Sequence, residues 1–238
     1  MQTSPKAGNH HYVPQVLLKY FRIDGDRAVW VHERGRTKPY RKGPRRIAGL
    51  PDFYAVEESS GLDEEEIEKF LGIPESWIAP IIAKMQNKSA LTDVDRERFA
   101  IFTAFTQIRG PRFKTIVDDF EERVARKVLH TAVADDERAK VALKHAREEL
   151  GEEIAITSKQ FREFILDDSR YEVSAHKHSA IRMMLEMAPE IAQFIFGMPW
   201  LFCHAAGCAR FVTSDVPVVL ADPANPPSLW NWSRSPRC

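Results

Sequence analysis

Thr92-Asp93-Val94-Asp95-Arg96-Glu97-Arg98-Phe99-Ala100-Ile101-Phe102-Thr103-Ala104-Phe105-Thr106-Gln107-Ile108 is the stretch whose reading decides the fold. Thr92 with Asp95 makes a capping box in which Asp takes the place of Glu. Phe99, Phe102, Phe105 and Ile108 then recur at helical spacing and mark one buried face. Gly110-Pro111 breaks or kinks this helix, and a second one runs from Arg112 to about Ala134. The segments Asp135 to Gly151, Ser158 to Asp168 and Ser174 to Met198 supply further helices, their charged faces turned to solvent.

Working outward, Pro14 stands at a helix start, and Gln15 to Arg22 reads as one or two apolar-rich turns. Ala28 to His32 and Phe53 to Val56 are rich in strand formers. Asp63 caps a helix through Leu71, and another runs from Ser76 to Asn87, with Pro80 shortening it. Beyond Pro199, Trp200 to His204 and Arg210 to Thr213 read as a hairpin around Gly207, and Val218 to Leu220 as a third strand. The expected fold is α+β and predominantly helical: a helical body with a small sheet formed by strands near the N- and C-terminal ends. A single domain is expected over residues 1–222, followed by an irregular tail over 223–238.

Hydrophobic residues make up 44% of the 238 residues and charged residues 29%, enough to build a core and too apolar for general disorder. Lys and Arg number 34, as do Asp and Glu, so the whole molecule has no field that draws it to nucleic acid or an anionic membrane. Any such binding falls to a local patch. The candidate is Arg34 to Arg46, which holds seven Lys/Arg, two prolines, two glycines and no acid. It reads as an irregular basic loop suited to a phosphate backbone, although zero net charge disfavours a nucleic-acid partner. The acidic stretch Glu57 to Glu68 is a candidate to face it. No apolar run reaches the roughly 18 residues of a membrane span, and residues 1–9 lack a secretory pattern, so no membrane partner is expected. Three cysteines, Cys203, Cys208 and Cys238, suit a reducing compartment, and the cytoplasm is the expected location.

The motifs that bear on chemistry lie far apart in sequence. In Asn9-His10-His11-Tyr12-Val13-Pro14-Gln15, adjacent histidines precede a helix start. One imidazole has the chemistry of a general base or metal ligand while the other orients a substrate. The alternative is that Asn9 or His10 caps the helix and the other ring packs. In Thr213-Ser214-Asp215-Val216-Pro217, Asp215 is placed to orient a histidine or bind a divalent cation, and Ser214 to bind substrate; the alternative is a plain turn. Arg109 falls on the apolar stripe of Phe102 and Phe105, so it needs either an internal carboxylate or an anionic substrate. Gln107 is a second substrate-binding candidate, though it lies about 200° from Arg109 around an ideal helix. The pattern names no cofactor, while a divalent metal is compatible with the His/Asp set.

These segments, in this order, resemble the family known as domain of unknown function 4238. Its opening His-His-Tyr-x-Pro-Gln is matched by His10 to Gln15, and its late Thr-Ser-Asp-x-Pro by Thr213 to Pro217. Its central Gln-x-x-Arg-x-Pro is matched by Gln107, Arg109 and Pro111, with Arg109 two residues after the glutamine rather than three. The resemblance covers roughly residues 8–222 and implies no activity. It also implies more strand beyond the last motif than this tail, ending Ser235 to Cys238, offers. Two functions follow as expectations. One is a hydrolase or nuclease on a phosphate-containing substrate, with His10, His11 and Asp215 catalytic and Gln107, Arg109 and Ser214 binding. The other is a non-catalytic binding or interaction module in which a His–Asp polar network is structural.

Overall fold

A computed structural model describes residues 9–22, 26–51, 53–54, 61, 63–151, 155–176, 178–207 and 209–219. The chain divides into two compact units, one of residues up to 113 with those from 181 onward, the other of residues 114–180. The fold is α+β and mainly helical, with two small antiparallel sheets of two strands each among the described residues.

In the first unit, β1 (Asn9–His11) pairs with β4 (Gly49–Pro51), setting His10 opposite Leu50. The hairpin β2 (Val29–Val31) and β3 (Tyr40–Lys42) sets Trp30 opposite Arg41. Between them run the short α1 (Gln15–Leu18) and a tight 3-10 turn, Lys19–Phe21; a second such turn, Pro44–Arg46, follows β3. Two long helices come next, α2 (Glu64–Gln86) and α3 (Asp93–Ile108). Ile67 and Leu71 of α2, Phe105 and Ile108 of α3, Tyr54, and Ile181, Met184 and Ala188 of α7 (Ser179–Gly197) form one buried cluster. Phe105 and Ile108 therefore face this core and Phe102 is buried too, as their spacing predicts, while Phe99 is only partly buried.

The capping box at Thr92 forms with both of its bonds, and it does more than begin a helix. Asp95 also accepts from Lys84 Nζ, 2.6 Å away in the last turn of α2, so one carboxylate clamps α2 to α3. The Lys84 ammonium, with the Thr92 backbone and hydroxyl, holds the Asp95 carboxyl at about 2, below its ordinary 3.8.

In the second unit, α4 (Pro111–Ala132), α5 (Asp136–Leu150) and α6 (Ser158–Leu166) gather around Val133, Ala139 and Ile165. Arg162 donates to the carbonyls of Val133 and Ala134, which face it past the end of α4. Asp168 collects Arg126, His130 and Tyr171 within 3.1 Å.

Several sequence expectations are corrected. Residues 64–86 form one helix, not two. An internal proline costs about 3 kcal/mol, but Pro74 falls on the buried stripe of Ile67, Leu71, Ile78 and Ile81, whose packing offsets the lost hydrogen bond. The stretch 34–46 is not irregular, since it contains β3 and the 3-10 turn. Residues 53 and 54 are a turn, and the remainder of that expected strand lies outside the described residues. The strands expected within 200–219 are absent among the described residues; both sheets arise from the N-terminal part of the chain. Trp200 nevertheless packs, its ring 5.7 Å from Phe99 and its indole N–H donated to the Ile195 carbonyl. An aromatic-rich run thus came from helix docking, which carries no strand pairing with it. Leu220 and Cys208 lie outside the described residues. Among the described residues, no helix is long and apolar enough to cross a membrane.

Asp95 gives this unit an acid dependence of definite sign. A carboxyl whose folded value is depressed adds stability above its unfolded value, and that stability is lost as pH falls toward the folded one. Between about pH 4 and pH 2 the unfolding midpoint should drop more steeply in the native chain than in Asp95→Asn. Parallel curves in urea titrations at stepped pH would contradict this clamp.

Candidate functional site

The two histidines point to opposite sides of β1, as adjacent strand residues must. His10 is 2% exposed and stacks on Tyr54 at 5.1 Å. Its Nδ1 accepts the Tyr54 backbone N–H at 2.9 Å, which places the ring proton on Nε2. That proton meets Glu64 Oε1 at 2.8 Å, with Glu68 Oε1 at 3.5 Å on the next turn of α2. His11 is saturated in the same sense. The Arg45 carbonyl, 3.2 Å from Nε2, can only accept, so Nδ1 is left to accept from the Gln15 amide, also at 3.2 Å. Neither histidine caps α1, whose first position follows Pro14 without a side-chain cap. The turn out of β1 is instead held by the Ala48 carbonyl, which accepts from Tyr12 N–H at 3.0 Å and Val13 N–H at 3.4 Å.

Arg109 ties the same strand to the helices. The residue is 6% exposed, donates from one terminal nitrogen to Glu75 Oε1 at 2.7 Å, and from the other to the His11 carbonyl. Burial opposes its charge, and Tyr54 and Glu75 outweigh that, holding Arg109 above its ordinary value. Burial pushes the neighbouring Tyr54 phenol up, with the Arg109 charge pulling the other way. The carboxylate that an arginine on an apolar stripe requires is therefore Glu75 of α2, a residue that the sequence motifs did not single out.

The remaining motif residues lie as follows. Gln107 is half-buried, and its side chain has no hydrogen bond among the described residues. Ser214 closes a local turn, its hydroxyl donating to the Val216 carbonyl at 2.8 Å and accepting the Val216 N–H at 3.1 Å. Asp215 is exposed and has no hydrogen bond to either imidazole among the described residues. It lies near Tyr12, whose phenol is raised first by burial and then by the Asp215 charge. The late motif thus comes within electrostatic reach of Tyr12, the residue after β1. Among the described residues no group of three or more His, Cys, Asp or Glu gathers as a metal site.

Beside this network opens a cavity of about 710 Å³. Gln15, Lys19 and Arg22 line one wall, with Arg27. Arg41, Lys42, Arg45 and Arg46, carried by β3 and the 3-10 turn after it, line the other. Among the described residues Asp26 is the acid lining this cavity, and it is already paired with Arg41. The other six cations have no ion pair among the described residues, and the buried Arg22 Nε has no hydrogen-bond partner there. Like charges at such density repel, so an anion entering this space gains from all of them. His11 stands behind the wall: the two groups its ring engages, Gln15 and Arg45, both line the cavity. The basic run 34–46 supplies Arg41, Lys42, Arg45 and Arg46 of this lining. Lys19, Arg22 and Arg27 follow no spacing that sequence reading uses, and only the fold brings them across.

The Arg109–Glu75 pair has a measurable consequence. Removing one partner of a buried pair leaves an uncompensated charge and costs about 3 kcal/mol. Glu75→Ala should therefore lower the urea unfolding free energy by about that amount, whereas Arg109→Met with Glu75→Ala should recover part of the loss. An unchanged midpoint in Glu75→Ala would show that the pair holds nothing.

No curated protein and no solved structure matches the chain. The family model described as "Protein of unknown function (DUF4238)" matches residues 9–231, from the histidine pair through the Thr-Ser-Asp-x-Pro segment, and the chain belongs to that family.

Proposed function

We propose that this chain is a non-catalytic binding module for phosphate-bearing ligands, with the histidine pair serving as architecture. The observation that carries this reading is the cavity: six cations without counter-ions among the described residues, around a space of about 710 Å³. That volume falls within the range of about 300–1,000 Å³ typical of ligand sites. Arginine forks match the oxygens of phosphate in pairs. The ring nitrogens of His10 and His11 are all engaged by the protein, which speaks for a fixed scaffold. It speaks against a base waiting for a proton.

The hydrolase reading draws its support from Asp215, exposed and within electrostatic reach of Tyr12. It requires an imidazole to surrender one of these bonds before it can take a substrate proton. The binding reading requires no such rearrangement.

Tripolyphosphate is a suitable probe. Isothermal titration should detect its binding at low ionic strength, with affinity reduced about tenfold or more in the Lys42→Ala/Arg45→Ala/Arg46→Ala variant, or about 1.4 kcal/mol per decade. Exposed substitutions of this kind usually change stability by no more than about 0.5 kcal/mol, so thermal melts should nearly coincide. Equal affinity in native and variant protein would refute the cavity as the site. Release of inorganic phosphate during the titration, lost in His11→Ala, would favour hydrolysis instead.

A further inference from the structure

We infer that the ligand is a single strand of nucleic acid, held by its phosphates in the cavity and by a base stacked on Trp30. The inference rests on the cavity taking phosphate groups. It adds what lies outside the cavity. Trp30 is 51% exposed, a large apolar surface left to solvent in the middle of a two-stranded hairpin. Its register partner is Arg41, so the two side chains share one face of the hairpin, and the Arg41 guanidinium lies 5.9 Å from the indole centre. Arg41 also lines the cavity. An open aromatic face thus adjoins a basic cavity of about 710 Å³, separated from it by one arginine.

The positive charge does not stop at the cavity. Arg34, Arg36 and Lys38 continue it along the exposed connection between the two strands. Arg36 lies over the Tyr40 ring at 4.5 Å, its pair with Glu33 being a loose, exposed one at 3.5 Å. A small anion would use the cavity and leave this strip idle. A chain of phosphates would use both. A base offers a flat π-face that an acidic peptide lacks, and a duplex keeps those faces stacked inside. Zero net charge is no obstacle, because the cations that count are gathered on one part of one unit.

The test is fluorescence anisotropy with a labelled oligothymidylate of about 12 nucleotides, inside the site sizes known for single-strand binders. Native protein should bind it more tightly than tripolyphosphate. Trp30→Ala should weaken oligonucleotide binding about tenfold, the loss of one stacked base, and Trp30→Phe should restore most of it. Tripolyphosphate affinity should be the same in all three proteins. The logarithm of affinity should fall with that of salt by about 0.7 per phosphate engaged. Equal binding of a duplex, of poly-glutamate or of phosphatidylserine vesicles would overturn the inference, as would a silent Trp30→Ala. In either case the cavity reading survives if tripolyphosphate still binds; if neither tripolyphosphate nor oligonucleotide binds, both fall.

Discussion

The Arg109 guanidinium, buried at the end of α3, has to find partners, because an unpaired charge in that position costs several kcal/mol. It finds Glu75 on α2 and the carbonyl of His11 on β1. One side chain thereby fixes where the N-terminal strand meets the helical core. His10 adds to the fixation from the other side of the strand, between the Tyr54 backbone and Glu64. The terminal nitrogens of Arg109 and the ring of His10, engaged in this way, select one arrangement of the elements that carry them, since an alternative leaves a buried charge or ring nitrogen unpaired.

The cavity inherits its shape from that arrangement. β1 leads directly into α1, and the ring of His11 spans from Gln15 in α1 to the Arg45 carbonyl in the turn after β3. These are the two walls that carry the cations. Bringing Arg45, Arg46 and Lys42 near Lys19 and Arg22 works against their mutual repulsion, and the bonds of His11 hold them there. A histidine pair that looks like chemistry in the sequence thus becomes, in this account, the frame of a charged site.

Much of the helical part was legible. The Thr92 capping box and the Phe102–Phe105–Ile108 stripe are local patterns, and local patterns survive into the structure. The strands were harder, since three residues in each carry too short an alternation to separate them from loop. Trp200 to His204 had the composition of a strand, but composition does not say whether a partner edge is present. For the site, sequence established that Arg109 needed a carboxylate and could not say which, because Glu75 lies 34 residues away and its choice depends on the α2–α3 packing. Asp215 and the histidines were expected to converge, and what the sequence could not supply was that both rings would already be engaged by residues 15, 45, 54 and 64.

The most direct measurement is a long-range ¹⁵N–¹H correlation spectrum of the histidine rings at neutral pH. Bonds from the Tyr54 N–H and to the Arg45 carbonyl predict that His10 and His11 each carry the proton on Nε2 with Nδ1 bare, as fixed single tautomers. A ring that exchanges between tautomers, or carries its proton on Nδ1, would contradict the account and return that histidine to the candidates for catalysis.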